Sequence, residues 1–482
     1  LKLSHDTGEE RVMDSFSRSG TGNDIIAAIA TAWGEAGIAI VRLSGPGSRI
    51  LADRRLSLTV PLAGTPPRYL RNGYLIDEKG QAVDQVLAVW FAPPKSYTGE
   101  EVVEIHTHGG ALVARKCLEL LICGGARLAD PGEFTRRAFL SGRIDLTQAE
   151  AVIGIIRSRS DEALRAAART LKGELAAFAA DIYDELLALS AEMEVSLDLS
   201  EDDPTLEGNG MLQSLEALRQ SLEDLLDRCS TGLLLREGIR VAIVGRPNVG
   251  KSSLLNALLK EARAIVTAIP GTTRDLIEEV LTYRGIPLRL MDTAGLGTAS
   301  DEAEAIGISR AEEAFEKADV RIWVADGSAP PSPFDLLMAE RLRDLPHVVA
   351  VNKSDLPPGK DQSGRSTEEV IGDLLPESPV LSISAMLETG LEALKDALVS
   401  SIAGGGVLDN GLNASARQVS EIRAAIAFLK EGSEALDSGL GHDIAAECLA
   451  GARGAMERLL GMPGAGGEEL LDFIFSQFCV GK

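Results

Sequence analysis

Gly245-Arg246-Pro247-Asn248-Val249-Gly250-Lys251-Ser252 follows directly on the apolar run Ile239 to Val244, and this junction decides the fold of the middle of the chain. The octet fits G-x-x-x-x-G-K-[ST] between a strand and a helix. In that setting backbone N–H groups curl around phosphate oxygens, aided by the N-terminus of the helix. The spacing assigns Lys251 to the β- and γ-phosphates and the hydroxyl of Ser252 to Mg²⁺, with Ser253 beside it in the first turn. Residues 239–400 alternate strand-like and helix-like segments, as a parallel-sheet α/β domain does.

Working outward, three further pieces follow in order. Asp292-Thr293-Ala294-Gly295 ends the apolar stretch Pro287 to Met291; a carboxylate there can hold the Mg²⁺ shell, and Gly295 allows close approach to a γ-phosphate. Between it and the octet lie Pro270-Gly271-Thr272-Thr273, where a hydroxyl can complete the coordination of Mg²⁺, in a segment expected to respond to nucleotide state. Asn352-Lys353-Ser354-Asp355 follows the strand Val348 to Val351. The Asp355 carboxylate can accept from N1–H and the 2-amino group of guanine, a donor pair that adenine lacks, so the sequence selects GTP over ATP. Ser384-Ala385-Met386 fits the loop that meets the guanine carbonyl. One expected part is missing: Leu296 stands where many GTPases carry a water-orienting glutamine, so hydrolysis needs a nearby acid, a cation or a partner residue.

The flanks are different. Residues 23–140 read as mixed α/β, with strand-like runs at 37–43, 86–91 and 102–106 separated by turn clusters. From Thr147 to Leu235 the pattern is helical, with a break at Asp202-Asp203-Pro204. Residues 415–460 return to that helical composition after Gly404-Gly405-Gly406, and a short apolar helix is expected from Leu470 to Phe478. The expected organisation is a polar tail (1–22), an N-terminal α/β domain (23–142), a helical domain in two parts (143–235 and 403–482), and a nucleotide domain inserted between them (236–402).

Bulk properties exclude some classes. The net charge is 48 − 72 = −24, which opposes generic nucleic-acid binding. Charge is uneven, with fourteen acids and one base in residues 181–227 and eight bases against four acids in residues 135–172. The latter is a local basic patch or simply a solvated helix face. No apolar run reaches the roughly 20 residues that span a bilayer, and no signal peptide is evident, so a cytoplasmic protein is expected. The five cysteines form neither C-x-x-C nor a regular framework. His106 and His108 share a strand face, but two ligands without a third are a weak metal signal, and structural histidines are the plainer reading.

These motifs occur together with Gly37-Ile-Ala-Ile-Val-Arg-Leu-Ser-Gly45, Ser96-Tyr-Thr-Gly-Glu-Glu-Val-Val-Glu104, His108-Gly-Gly110, Pro131-Gly-Glu-Phe-Thr-Arg-Arg-Ala-Phe139, Asp145-Leu-Thr-Gln-Ala-Glu150, Leu234-Leu-Arg-Glu-Gly238 and a final Cys479-Val480-Gly481-Lys482. With them the chain resembles the MnmE (TrmE) family of tRNA-modification GTPases over nearly all of residues 23–482. The resemblance implies an N-terminal folate-binding α/β domain, a discontinuous helical domain and an inserted Ras-like G domain. It implies a homodimer working with an FAD- and NADH-dependent MnmG partner, in a heterotetramer, on tRNA. The product is an aminomethyl or carboxymethylaminomethyl group at C5 of the wobble uridine. A tetrahydrofolate derivative, in the 5,10-methylene or 5-formyl form, binds as the one-carbon donor.

Roles carry over by the same resemblance. Asn248, Thr267, Ile269 and Thr272 match a K⁺ site, and Thr267-Ala268-Ile269-Pro270-Gly271-Thr272-Thr273 contacts GTP. Ser252 and Thr273 hold Mg²⁺. Glu304 matches a water-orienting glutamate that makes good the missing glutamine. Arg42, Glu104, Arg143 and Lys482 match folate contacts, with chemistry that suits charged, carbonyl and N–H groups. Cys479 matches a functional cysteine, and whether it is catalytic or structural stays open. The chain departs from the family at Ala32-Trp33-Gly34-Glu35-Ala36-Gly37, where proline and more glycines are usual. A second reading, from the G domain alone, is a GTP-dependent RNA or ribosome assembly switch without modifying chemistry. It calls for a separate RNA-binding module, and none is evident.

Overall fold

The computed structural model describes residues 24–200, 209–263, 279–292, 312–403, 410–438, 442–462 and 467–482. The chain divides into two compact units, Leu1–Ile153 with Gly454–Lys482, and Gly154–Arg453.

In the first unit, seven strands form one sheet: β1 (Ile26–Ile29), β2 (Ala36–Ser44), β3 (Leu56–Leu58), β4 (Arg71–Ile76), β5 (Ala82–Phe91), β6 (Val102–Gly109) and β7 (Arg127–Leu128), in the order β3-β4-β5-β6-β2-β1-β7. All pairings but β1–β7 are antiparallel. Alternation along the strands sends Val41, Leu43, Val103 and Ile105 into one core, which is the two-residue period of a half-buried sheet. Helices α1 (Ser48–Asp53) and α2 (Ala111–Cys123) bring Leu51, Cys117 and Leu121 to that core. Helix α3 (Glu133–Leu140) follows. Arg137 on it donates to Asp24, Glu100 and Glu133, and Arg127 donates to Asp24 and Glu133. This network ties α3 to the strand edge.

Helix α4 (Leu146–Arg157) leads into the second unit, where α5 (Asp161–Leu171), α6 (Glu174–Ser200) and α7 (Asn209–Glu237) are followed by a second sheet. Ser160 caps α5 by accepting from the Ala163 N–H. The strands are β8 (Ile239–Val244), β9 (Glu279–Tyr283), β10 (Ile286–Asp292), β11 (Val320–Asp326), β12 (His347–Asn352) and β13 (Val380–Ser382), in the order β13-β12-β11-β8-β10-β9. Five of the six run parallel, as the alternation of strand-like and helix-like segments implied; β9 is an antiparallel edge strand on β10. β11 and β12 are buried at every residue, as strands covered on both faces must be. Helices α8 (Lys251–Arg263), α9 (Pro333–Leu342), α10 (Thr367–Leu374) and α11 (Leu391–Ala403) belong to this part.

The chain then returns beside α7. Leu412, Asn413 and Ala414 are buried, and a Cβ on Gly232 of α7 would stand 1.8 Å from the Leu412 carbonyl oxygen. Only glycine lets the returning backbone pass so close. It leads into α12 (Ala416–Asp437), which opens with a Ser415/Gln418 capping box and packs on α7, and then α13 (His442–Leu460). The helical layer is thus made of segments from both sides of the second sheet. Helix α14 (Gly467–Ser476) belongs to the first unit; it starts and stops somewhat before the expected apolar span. Ile474, Phe475 and Phe478 pack there with Leu146 and Ala149. The fold is therefore α/β plus α, as expected. No helix among the described residues is long and apolar enough to cross a membrane.

Candidate functional site

The loop between β8 and α8 is shaped by two close backbone approaches. At Gly245 (φ 148°) a Cβ would lie 2.3 Å from the Val324 carbonyl, and at Gly250 (φ 100°) 2.3 Å from Asn352 Nδ2. Asn248 between them is also left-handed, at φ 65°, a conformation asparagine tolerates better than most residues. Lys251 Nζ donates to the carbonyls of Gly245 (2.7 Å) and Arg246 (2.9 Å), which folds it back on the loop. Ser252 and Ser253 are exposed in the first turn of α8, and Val249 is buried.

Asn352, at the end of β12, braces the site. Its Nδ2 donates to the Val249 carbonyl (2.8 Å), and its Oδ1 accepts from the Ala385 N–H (3.0 Å). One buried amide therefore sets the phosphate loop and the Ser384-Ala385-Met386 loop at a fixed separation. Ser384 Oγ donates to Asp355 Oδ1 (2.5 Å) and accepts from the Leu387 N–H (3.1 Å), which orients the carboxylate. Lys353, left-handed at φ 67°, pairs with Asp326 at the end of β11 (2.7 Å). Burial pushes the Asp326 carboxyl up, but hydrogen bonds from Lys353 and Ser328 outweigh it and hold it below the usual range. The expected residues Asn248, Lys251, Asn352, Lys353, Asp355, Ser384, Ala385 and Met386 thus gather at the ends of β8, β12 and the loop after β13. Asp326 is a member that motif reading missed. Its signal was its place at a strand end beside the others. Thr267 through Thr273, Thr293 to Gly295, Leu296 and Glu304 lie outside the described residues, as does the side chain of Asp292.

A second cluster occupies the first unit. Arg42 on β2 and Glu104 on β6 are cross-strand partners. Both Arg42 Nε (2.9 Å) and Nη2 (2.8 Å) reach the same oxygen, Glu104 Oε1. The Arg42 guanidinium lies 5.4 Å from the Tyr97 ring and 5.7 Å from the Phe134 ring. The final residues of the sequence join it. Gly481 is left-handed, and a Cβ there would stand 2.3 Å from the Ile29 carbonyl, while the Lys482 carbonyl accepts from the Phe134 N–H (3.2 Å). Burial and the neighbouring Arg42 charge push the Lys482 ammonium below its usual range. Arg143 Nε donates to the Ser96 carbonyl (3.2 Å), next to Tyr97. Cys479 is exposed, and its carbonyl accepts from the Lys482 N–H (3.3 Å). A cluster with charges of both signs, bordered by two aromatic rings, suits a planar polar ligand.

His108 is bound to Asp84 through Nδ1 (2.6 Å) and its backbone N–H (2.9 Å). Among the described residues no group of three or more His, Cys, Asp and Glu could hold a metal ion.

Residues 25–143 match the family described as GTP-binding protein TrmE N-terminus, and residues 146–479 match the MnmE helical domain. A tRNA modification GTPase MnmE of Alkaliphilus metalliredigens is 41% identical over 467 residues, covering 95% of this chain and 99% of the relative. That of Symbiobacterium thermophilum is 42% identical over 474 residues, covering 96% and 100%. Among solved structures, the G domain of the T. maritima FeoB iron transporter is 30% identical, spans 34% of this chain and 98% of its own, and superposes with a TM-score of 0.25.

Proposed function

The chain belongs to the MnmE family of tRNA modification GTPases, and from that premise we propose that it spends GTP to drive modification of the wobble uridine of tRNA at C5. The added group is aminomethyl or carboxymethylaminomethyl, the one-carbon unit comes from a methylene-tetrahydrofolate, and an FAD- and NADH-dependent MnmG-type partner completes the chemistry. The working form is a homodimer joined to that partner, in the cytoplasm. What carries this reading is the presence, in one chain, of a braced guanine-nucleotide loop and a separate Arg42–Glu104–Lys482 cluster.

The residues fit the groups the reading requires. The phosphate loop has glycines where a Cβ would collide with the Val324 carbonyl and the Asn352 amide, so its backbone can hold a tight turn whose N–H groups suit the phosphates of GTP. Ser252 would hold Mg²⁺ with Thr273, and Asn248 would hold K⁺ with Thr267, Ile269 and Thr272. A fixed cation there supplies positive charge where charge develops on the phosphates, the work of an arginine finger elsewhere. Glu304 would orient the attacking water in place of the absent glutamine. Glu104 would accept from pterin N–H groups, with Arg42, Arg143 and Lys482 meeting the carbonyl and carboxylate groups of the folate. Cys479 is exposed at the end of the same cluster, and we assign it a role in the modifying chemistry.

Mass analysis of wobble nucleosides from cells lacking the gene tests the proposal: the C5 modification should disappear and return with the intact gene. Unchanged nucleosides would leave the assembly-switch reading standing. Hydrolysis should also run faster in K⁺ than in Na⁺, and equal rates would remove the cation from the account.

A further inference from the structure

On β6 the residues after Glu104 alternate, so Glu104 and His106 share a face. Arg42 and Val89 flank Glu104 in register, and Ile40 and Leu87 flank His106. Arg42 occupies only Oε1 of Glu104. His106 Nε2 stands 3.8 Å from Oε2, too far for a direct hydrogen bond. That nitrogen is buried and has no hydrogen-bond partner among the described residues. Leaving such a group unmatched is destabilising, and a site that keeps one is suited to a ligand that satisfies it. Beside a carboxylate, the histidine tautomer with hydrogen on Nε2 is the favoured one. The face therefore presents an N–H donor and a carboxylate acceptor side by side.

We propose that His106 is a second recognition residue of the folate site, and that with Glu104 it reads the lactam edge of the pterin ring. His106 Nε2–H donates to the ring carbonyl, and Glu104 Oε2 accepts from the adjoining N–H. This rests on the folate reading above and adds to it the group on the ligand that is discriminated. A 4-amino pterin puts a donor where the carbonyl was. It would face His106 donor to donor, and a site built for one hydrogen-bonding pattern rejects the other.

Calorimetric titration of the full chain with 5-formyltetrahydrofolate and with its 4-amino analogue tests this. The wild type should prefer the 4-oxo ligand. His106→Ala should lose roughly tenfold in affinity for it, with little change for the 4-amino analogue, so that the preference shrinks by that factor and the remainder is set by Glu104, whose N–H partner the 4-amino ring lacks. His106→Gln, which restores an N–H donor, should recover part of the preference, while His108→Ala should leave it intact. Melting curves identify any variant that fails to fold, and His106→Gln then carries the test. If the wild type binds, Glu104→Gln weakens binding and His106→Ala keeps full discrimination, this inference is overturned and the folate reading survives. If the wild type binds neither ligand, both fall.

Discussion

Around Gly250 the nucleotide site is a matter of backbone, whereas around Glu104 the second site is made of side chains brought together by strand register. At the first, left-handed φ at Asn248 and Gly250 and close approaches at Gly245 and Gly250 fix the loop. The residues that do this are neighbours in sequence and leave a motif. At the second, Arg42 and Glu104 are 62 residues apart and meet because β2 and β6 pair antiparallel. Nothing local announces that meeting. Backbone sites of the first kind tolerate few substitutions, while side-chain clusters of the second kind can be retuned one group at a time.

The comparison is broken most sharply at Lys251. Lys251→Ala removes the charge proposed to meet the β- and γ-phosphates, and kcat for GTP should fall by about a thousandfold or more. Binding of 5-formyltetrahydrofolate by the same variant should be unchanged, because the site proposed for it uses none of these groups. Steady-state phosphate release and calorimetry give the two readings. Loss of both activities would mean that the two sites are not separable.

This contrast also explains what could be read from the sequence. The octet at 245–252, Asn352 to Asp355 and Ser384 to Met386 were legible because each chemistry lies within a few consecutive residues at a strand end. The role of Asn352 as a brace was not legible, since its partners Val249 and Ala385 lie 103 and 33 residues away. Asp326 carries no motif at all. In the first unit the strands could be read from their alternation, but the Arg42–Glu104 pairing could be named only through family resemblance. His106 looked structural because an unpartnered nitrogen is a property of surroundings, not of spelling. The antiparallel edge strand β9 was missed because a short apolar run gives no sign of its direction.

A finer test sits at Asn352. Asn352→Ala leaves the Val249 carbonyl and the Ala385 N–H without partners in a buried setting, at about 1–3 kcal/mol each. GTP affinity should fall by roughly thirtyfold, measured by displacement of a fluorescent nucleotide. Arg42→Ala should be milder for the folate ligand, roughly tenfold, because Lys482 remains beside Glu104. Equal losses would erase the distinction between a backbone-braced site and a side-chain cluster.

The smallest effect lies in the scaffold beneath the second cluster, and it has a definite pH sign. Burial pushes Asp24 and Glu133 up, yet hydrogen bonds from the arginines outweigh it, and both carboxyls stand below their usual values. A carboxyl depressed by folding stabilises the native state above its unfolded value, near 4. That contribution is lost as pH falls through the lower folded value. Arg137→Met removes one of the two arginines, while Arg127 stays paired to both acids. The variant should therefore be less stable by about 1–2 kcal/mol at pH 7, less than the full cost of stripping a buried pair. As pH falls from 7 through the depressed folded values of Asp24 and Glu133, both carboxyls become protonated and the deficit should shrink. Denaturant melts at pH 7 and at an acid pH decide it. A deficit of the same size at both would assign Arg137 a packing role through its stem rather than an electrostatic one.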